Sequence, residues 1–288
     1  MTPRLITAPV AAAPFRPPLR YMGGKWRLAP WIIRHMPPHR TYVEPFGGAA
    51  GVLLRKPRAY AEVYNDLDGE VVSLFRVLRD PAQAGELARR VALTPFARDE
   101  FEDTYRIADC PIEAARLLVA RSFMGFGSTA VALRRRTGFR ADSNRSGKHP
   151  ARDWLGMPPA LLAITERLAG VVIENRPALG IMQRFDGPQT LIYVDPPYLH
   201  DTRSKKRIHG ALEHAYKHEM SEADHAELLA WLAGSSSMVM LSGYPSDLYT
   251  AALPGWRRID IEALADGARK RTESLWINPA AATWDLFP

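Results

Sequence analysis

The chain has 288 residues, with 38 Lys or Arg against 31 Asp or Glu, a formal net charge of +7 and 47% hydrophobic residues. This suits one large domain or a core domain carrying an insertion, and no apolar run approaches the roughly 20 residues that span a bilayer. The single cysteine, Cys110, excludes an intramolecular disulfide and a cysteine-cluster metal site, so a reducing, cytoplasmic setting is expected.

Residues 1–18, rich in Pro and Ala and without the apolar core of a signal peptide, read as a flexible leader. The stretch TYVEPFGGAAGVLL (41–54) reads as a short strand, a Gly-rich turn and the start of a helix. AYAEVYND (59–66) alternates apolar residues and ends in Asn65-Asp66, a strand finishing in an acid. GEVVSLFRVLRD (69–80) has helical spacing. Asp80-Pro81, Thr94-Pro95 and Asp109–Pro111 each resemble a helix start, a capping residue with Pro in the first turn. From about 80 to 165 the pattern predicts helices and one basic loop, with no strand. ALLAITERLAG (160–170) is a helix stopped by Gly170. Strands then resume at VVIEN (171–175) and TLIYVD (190–195), followed by a helix capped by Ser221 and ended by Gly234, then MVMLS (238–242), RRIDIEAL (257–264) and ESLWIN (273–278). Alternating strands and helices predict an α/β fold with a mostly parallel sheet, the two late strands pairing antiparallel. The expected division is a sheet domain at 19–80 and 165–288, with a helical insert at 81–164.

Charge is concentrated. Residues 134–152 hold seven Arg or Lys against one Asp, a local +6 that nearly equals the whole excess. Ser, Asn and Phe lie between the cations, a texture that suits a phosphate backbone. The candidates here are Arg134, Arg135, Arg136, Arg140, Arg145 and Lys148. A second basic stretch, RSKKRIH (203–209), adds Arg203, Lys205, Lys206 and Arg207. Residues 199–218 read as a loop that closes over a bound base.

In open α/β sheets, ligands sit beyond the carboxyl ends of the strands. Three features fall there: Glu44-Pro45-Phe46-Gly47-Gly48, Asn65-Asp66 and Asp195-Pro196-Pro197-Tyr198. A glycine turn admits a ligand close to the backbone, and an acid at the next strand end suits ribose hydroxyls. Together they suggest an adenosine-bearing ligand. Neither this turn nor GGKW (23–26) is a P-loop, since no Ser or Thr follows Lys25. Proline has no N–H and fixes φ, so nearby carbonyls stay available as acceptors. Asp195 and the Pro196 carbonyl are placed to accept from one planar amino group, with Tyr198 stacked on its ring. Two acceptors on such an amine favour a pyramidal, more nucleophilic nitrogen and aim it.

The order of YMGGKWRL, YVEPFGGAAGVLL, YND and YVDPPY resembles the Dam-like family of DNA adenine-N6 methyltransferases, as does the final RTESLWIN. The resemblance covers 21–66 and 171–278. It implies a Rossmann-like class I methyltransferase mixed sheet, mostly parallel with the last strand antiparallel, carrying a helical inserted target-recognition domain. It implies S-adenosylmethionine as methyl donor, no metal, double-stranded DNA as partner, no membrane, and the cytoplasm of a bacterial or phage-infected cell. A monomer is expected, with dimerisation on DNA left open. By the same resemblance, Tyr21, Lys25, Glu44, Phe46, Gly47, Gly48, Asp66 and Asp195 contact the donor. Asp195, Pro196, Pro197 and Tyr198 carry catalysis. One position departs from the pattern: Pro177, in ENRPAL, stands where the family places an Asp against the donor adenine, so Asn175 or a backbone group is the expected substitute. His214 and His218 have metal-ligand spacing but no third ligand nearby. Two other readings remain: the same chemistry on cytosine N4, and a DNA-binding relative without catalysis.

Overall fold

The computed structural model describes residues 13–127, 131, 136–141, 149–199, 207–208, 211–212, 217–264 and 270–282. Its strands are β1 (Thr41–Glu44), β2 (Ala61–Asn65), β3 (Val171–Glu174), β4 (Thr190–Val194), β5 (Arg207–Ile208), β6 (Ala211–Leu212), β7 (Met238–Gly243), β8 (Arg257–Leu264) and β9 (Lys270–Ile277). Its helices are α1 (Ala29–Ile33), α2 (Gly69–Arg79), α3 (Pro81–Leu93), α4 (Arg98–Asp103), α5 (Pro111–Met124), α6 (Pro150–Trp154), α7 (Met157–Leu168), α8 (Ala178–Arg184), α9 (Glu222–Gly234), α10 (Asp247–Ala252) and α11 (Pro279–Ala282). Among the described residues, no helix is long and apolar enough to cross a membrane.

Seven strands form one sheet in the order β3-β2-β1-β4-β7-β9-β8. The pairs β3–β2, β2–β1, β1–β4 and β4–β7 are parallel, and β9 runs antiparallel to both neighbours. The expected fold class is the observed one. The central strands are buried along nearly their whole length, as a sheet covered on both faces requires. Side chains then alternate between two apolar layers with the strand period of two. Tyr42, Tyr64, Leu191, Tyr193, Met240 and Leu275 join one layer with α2, α3, α5 and α7. Val43, Val63, Ile192, Val194, Leu241 and Trp276 join the other with α8, α9 and α10. Helices α3, α5 and α7, from the segment expected to be an insert, thus pack into the same layer as the sheet.

Local chemistry explains most element boundaries. Asp80 caps α3 by accepting from the Ala82 and Gln83 N–H groups, and a reciprocal Ser221–Asp224 capping box opens α9. Gly170, at φ 81°, ends α7 as expected. Two expectations differ. Thr94 closes α3 rather than starting a helix: Pro95 drives it to an extended conformation (φ −84°, ψ 111°), and α4 begins only at Arg98. Residues 48–55 form successive turns instead of a helix start. Gly48 (φ 48°) and Ala50 (φ 54°) are left-handed there, which breaks the helical path. Within the expected leader, Arg16 is tied down: its guanidinium donates to the Asp153 carbonyl (2.7 Å) and carboxylate (3.0 Å) and lies over the Phe123 ring.

Candidate active site

The strand order puts the fold's switch point between β1 and β4. The chain leaves β1 toward β2 and β3, then returns to the opposite side of β1 as β4. Connections diverge at the carboxyl ends of these two strands, and a crevice opens between them. With Val43 opposite Ile192, Glu44-Pro45 and Asp195-Pro196 leave the sheet side by side. The crevice is a cleft of about 950 Å³, open to solvent at its mouth. Tyr21, Lys25, Glu44, Phe46, Gly47, Gly48, Asp66, Asp195, Pro196 and Pro197 all line it.

One wall is the turn after β1. Gly47 lies so close to Tyr64 that a Cβ would fall 2.2 Å from the ring, and a Cβ on Gly48 would fall 2.9 Å from the Tyr21 ring. The Gly47 N–H donates to the Asn65 carbonyl (2.8 Å) and the Gly48 N–H to Asp66 Oδ2 (2.7 Å). Asp66 Oδ1 accepts from the Asp68 N–H (2.8 Å). Burial raises the Asp66 pKa above its ordinary value, against the pull of these two N–H groups. Glu44 Oε2 accepts from the Tyr42 hydroxyl and the Leu53 N–H, each at 2.9 Å. Burial nevertheless pushes its pKa up to about 8. Glu44 is therefore mainly protonated at neutral pH and able to donate into the cleft.

The opposite wall carries Asp195 at the tip of β4. Lys25 Nζ lies 2.9 Å from Asp195 Oδ1 as an ion pair and donates to the Gly23 carbonyl at 2.7 Å. Asp195 Oδ1 is buried, and the ammonium is its close partner. Burial raises the Asp195 pKa, and Lys25 opposes the rise. The same ammonium sits 4.8 Å from the centroid of the Tyr198 ring. Tyr198 is buried beside the cleft rather than lining it: its hydroxyl donates to Glu273 Oε2 (2.8 Å), and its ring meets Tyr244 edge to face at 4.6 Å.

Two side chains at the cleft were given no role from the sequence. Asn65 ties three strand tips together: its amide donates to the Pro45 and Arg176 carbonyls (2.8 and 3.0 Å) and its Oδ1 accepts from the Arg176 N–H (2.9 Å). Asp68 caps α2 through Oδ1, which also accepts from Lys217 Nζ at 2.7 Å. Its Oδ2 is buried at the cleft without a hydrogen-bond partner. A cap residue two positions after a strand-end acid was the available signal. Asn175 does not line the cleft; its amide instead donates to the Asp66 and Leu67 carbonyls (2.8 and 3.2 Å), bracing that strand tip from behind. Arg176 and Ala178, on either side of Pro177, do line it.

The basic candidates are only partly within the described residues. Arg136 is exposed with its guanidinium 5.4 Å from the Tyr105 ring centroid. The Arg140 N–H donates to the Met124 carbonyl (2.7 Å), and Phe139 packs on Phe96 and Phe101. Residues 139–140 are therefore anchored against the end of α5. Arg207 lies in β5, paired with β6, and its side chain is outside the described residues. Arg134, Arg135, Arg145, Lys148, Arg203, Lys205, Lys206 and His214 also lie outside them.

Residues 21–109 match the family model of the D12 class N6 adenine-specific DNA methyltransferases. Over those residues the chain is similar to that family. The matched region holds β1, β2, the glycine turn and the cleft acids Glu44, Asp66 and Asp68. Asp195 lies beyond it, joined to it by the shared cleft. No curated protein matches the chain.

Proposed function

We propose that this protein moves a methyl group from S-adenosylmethionine to the exocyclic N6 of an adenine flipped out of duplex DNA. The observation that carries the reading is the placement of Asp195, ion-paired through Oδ1 with Lys25, in one cleft with Gly47, Gly48 and Asp66. The cleft suits such a donor: the glycine turn leaves space that side chains would fill, and the orphaned Asp68 Oδ2 offers an acceptor to a hydroxyl. When bound, S-adenosylmethionine supplies a methyl group already activated on a sulfonium. Asp66 and Asp68 hold the ribose hydroxyls. Tyr21 and the Gly47–Gly48 turn shape the bed, and neutral Glu44 offers a donor.

Asp195 and the Pro196 carbonyl accept from the two N6 hydrogens, turning the nitrogen lone pair toward the methyl carbon. Asp195 is also the nearest acceptor for the N6 proton released on transfer. An amine occupying this place displaces Lys25, whose ammonium now fills it. Extrusion of the adenine costs a few kcal/mol, offset by phosphate contacts from residues 134–152 and 203–209. In this reading residues 19–80 and 165–288 perform the chemistry, 81–164 read the DNA, and 199–218 close over the base. Lys217, bonded to Asp68, marks the inner end of that closing segment.

The test is methyl transfer to duplex DNA followed by sequencing that detects modified bases. Wild-type protein is expected to yield N6-methyladenine, and Asp195→Ala none, with DNA affinity within about two-fold. Methylation retained in Asp195→Ala refutes the role of Asp195. Unchanged donor affinity in Asp66→Ala refutes the ribose site.

A further inference from the structure

Beside the cleft, on the far side of Lys25, lies a cluster that the mechanism above leaves unused. Arg271 and Glu273 sit two residues apart on β9 and so share a face of the sheet. Arg271 stacks over the Tyr244 ring, 5.2 Å from its centroid. Tyr244 meets Tyr198 edge to face. The Tyr198 hydroxyl donates to Glu273 Oε2 at 2.8 Å, which closes the ring of contacts. Tyr198 follows two prolines at a strand tip, and proline supplies no N–H to tether that backbone. The Glu273 bond, with the Tyr244 contact, holds the hydroxyl end of the ring.

We propose that Glu273 is a positioning residue for methyl transfer, fixing the plane of the Tyr198 ring, whose face Lys25 now covers and the target adenine takes when it displaces that ammonium. This rests on the functional reading above. The electrostatics agree with the geometry. Burial raises the Glu273 pKa, while Lys25 and the Tyr198 hydroxyl lower it and Asp195 raises it. Lys25 thus acts electrostatically on both Glu273 and Asp195. A residue serving only to tie β9 to the loop after β4 would leave the chemical step unchanged in any variant that folds.

The test compares Glu273→Ala, Glu273→Gln and Tyr198→Phe with wild type in single-turnover methyl transfer. DNA carrying 2-aminopurine at the target adenine reports stacking of the extruded base by fluorescence. Glu273→Ala is expected to slow single turnover about 10- to 100-fold, the loss of one hydrogen bond to a charged group. DNA and donor affinities stay within about two-fold, and 2-aminopurine emission rises as stacking is lost. Tyr198→Phe slows the step comparably, and the double variant is no slower than either single one. Glu273→Gln, which keeps an acceptor, recovers at least half of the loss on a logarithmic scale. A wild-type rate in Glu273→Ala, or additive losses in the double variant, overturns the proposal. Should Glu273→Ala not fold, a Gln variant as slow as Tyr198→Phe overturns it as well. If wild type methylates no DNA, the functional reading falls. If wild type is active and Asp195→Ala dead while both Glu273 variants run at the wild-type rate, only this inference falls.

Discussion

Gly47→Ala is the sharpest probe of the cleft, because the obstruction to it is measurable. The added Cβ would sit 2.2 Å from Tyr64 Cε2, 2.6 Å from Cδ2 and 2.9 Å from Cζ, where ordinary contact begins at 3.4 Å. The ring must retreat by about 1.2 Å, the difference between 3.4 and 2.2 Å, or the turn must lift away from it. Tyr64 has nowhere to go. It is 0% exposed, its ring stacks on Phe75 at 4.3 Å, and its hydroxyl donates to the Gly48 carbonyl at 2.7 Å. Overpacking of this kind costs about 1–3 kcal/mol, and losing the buried hydroxyl bond adds about 1 kcal/mol. The expected destabilisation is therefore about 2–4 kcal/mol by urea unfolding. The same movement drags Gly48 off Asp66, so donor affinity by calorimetry should fall at least about ten-fold, since 1.4 kcal/mol is one decade. Gly85→Ala is the control. Gly85 lies in α3 with nothing within 4 Å of its would-be Cβ, and the change should stabilise by about 0.5–1 kcal/mol. Gly47→Ala with unchanged stability and unchanged donor affinity would refute both the packing argument and the assignment of the turn.

Other outcomes follow from the buried charges. Glu44, with its pKa pushed from 4.5 up to about 8, binds its proton more tightly folded than unfolded; the stability this gives is full below pH 4.5 and is lost as pH rises through 8. Glu44→Gln should flatten that slope and exceed wild type near pH 9 by up to about 5 kcal/mol, measured as urea midpoints across pH; an unchanged slope argues that Glu44 is ionised throughout. Arg167 makes a bidentate pair with Glu62 (2.6 and 2.9 Å) and donates to the Leu53 carbonyl at 2.6 Å. Arg167→Ala leaves Glu62 with Lys56 as its remaining ion-pair partner and should cost about 3–5 kcal/mol; a loss under 1 kcal/mol by the same assay contradicts the pairing. Replacing Arg134, Arg135 and Arg136 by Gln should lower DNA affinity and reduce the slope of log affinity against log salt by up to about 2.7, about 0.9 per phosphate contact. An unchanged slope in a binding titration shows that none of the three touches phosphate.

What could be read in advance was whatever depends on neighbours in the chain. The strand of period two ending in Asn65-Asp66, the two prolines after Asp195, and the caps at Asp80 and Ser221 each carry their own local reason. The helix expected from residue 48 failed on an equally local but unannounced feature: Ala50 holds a left-handed conformation at φ 54°, which no propensity of alanine suggests and only the packing around the turn enforces. Asp68, just before α2, caps that helix. Its second role depends on Oδ2 being orphaned beside a cleft whose far wall lies more than a hundred residues along the chain.

Glu273 was harder still, and the reason lies in register. Along β9 the exposed and half-buried residues at 270–273 give way to buried ones from 274 to 277. The sequence pattern alone reads Glu273 as the last solvated position before the core. Its partner is decided by β9 lying antiparallel beside β7, with Ser274 opposite Gly243. That pairing sets the strand next to Tyr244 and, through it, Tyr198. A one-residue slip would turn Glu273 to the opposite face and leave Tyr198 without its acceptor. The antiparallel last strand is therefore more than a closing edge. Its register brings a carboxylate to the side of the site that the β1–β4 crevice does not reach, so that the donor and the target base can be held by opposite ends of the chain.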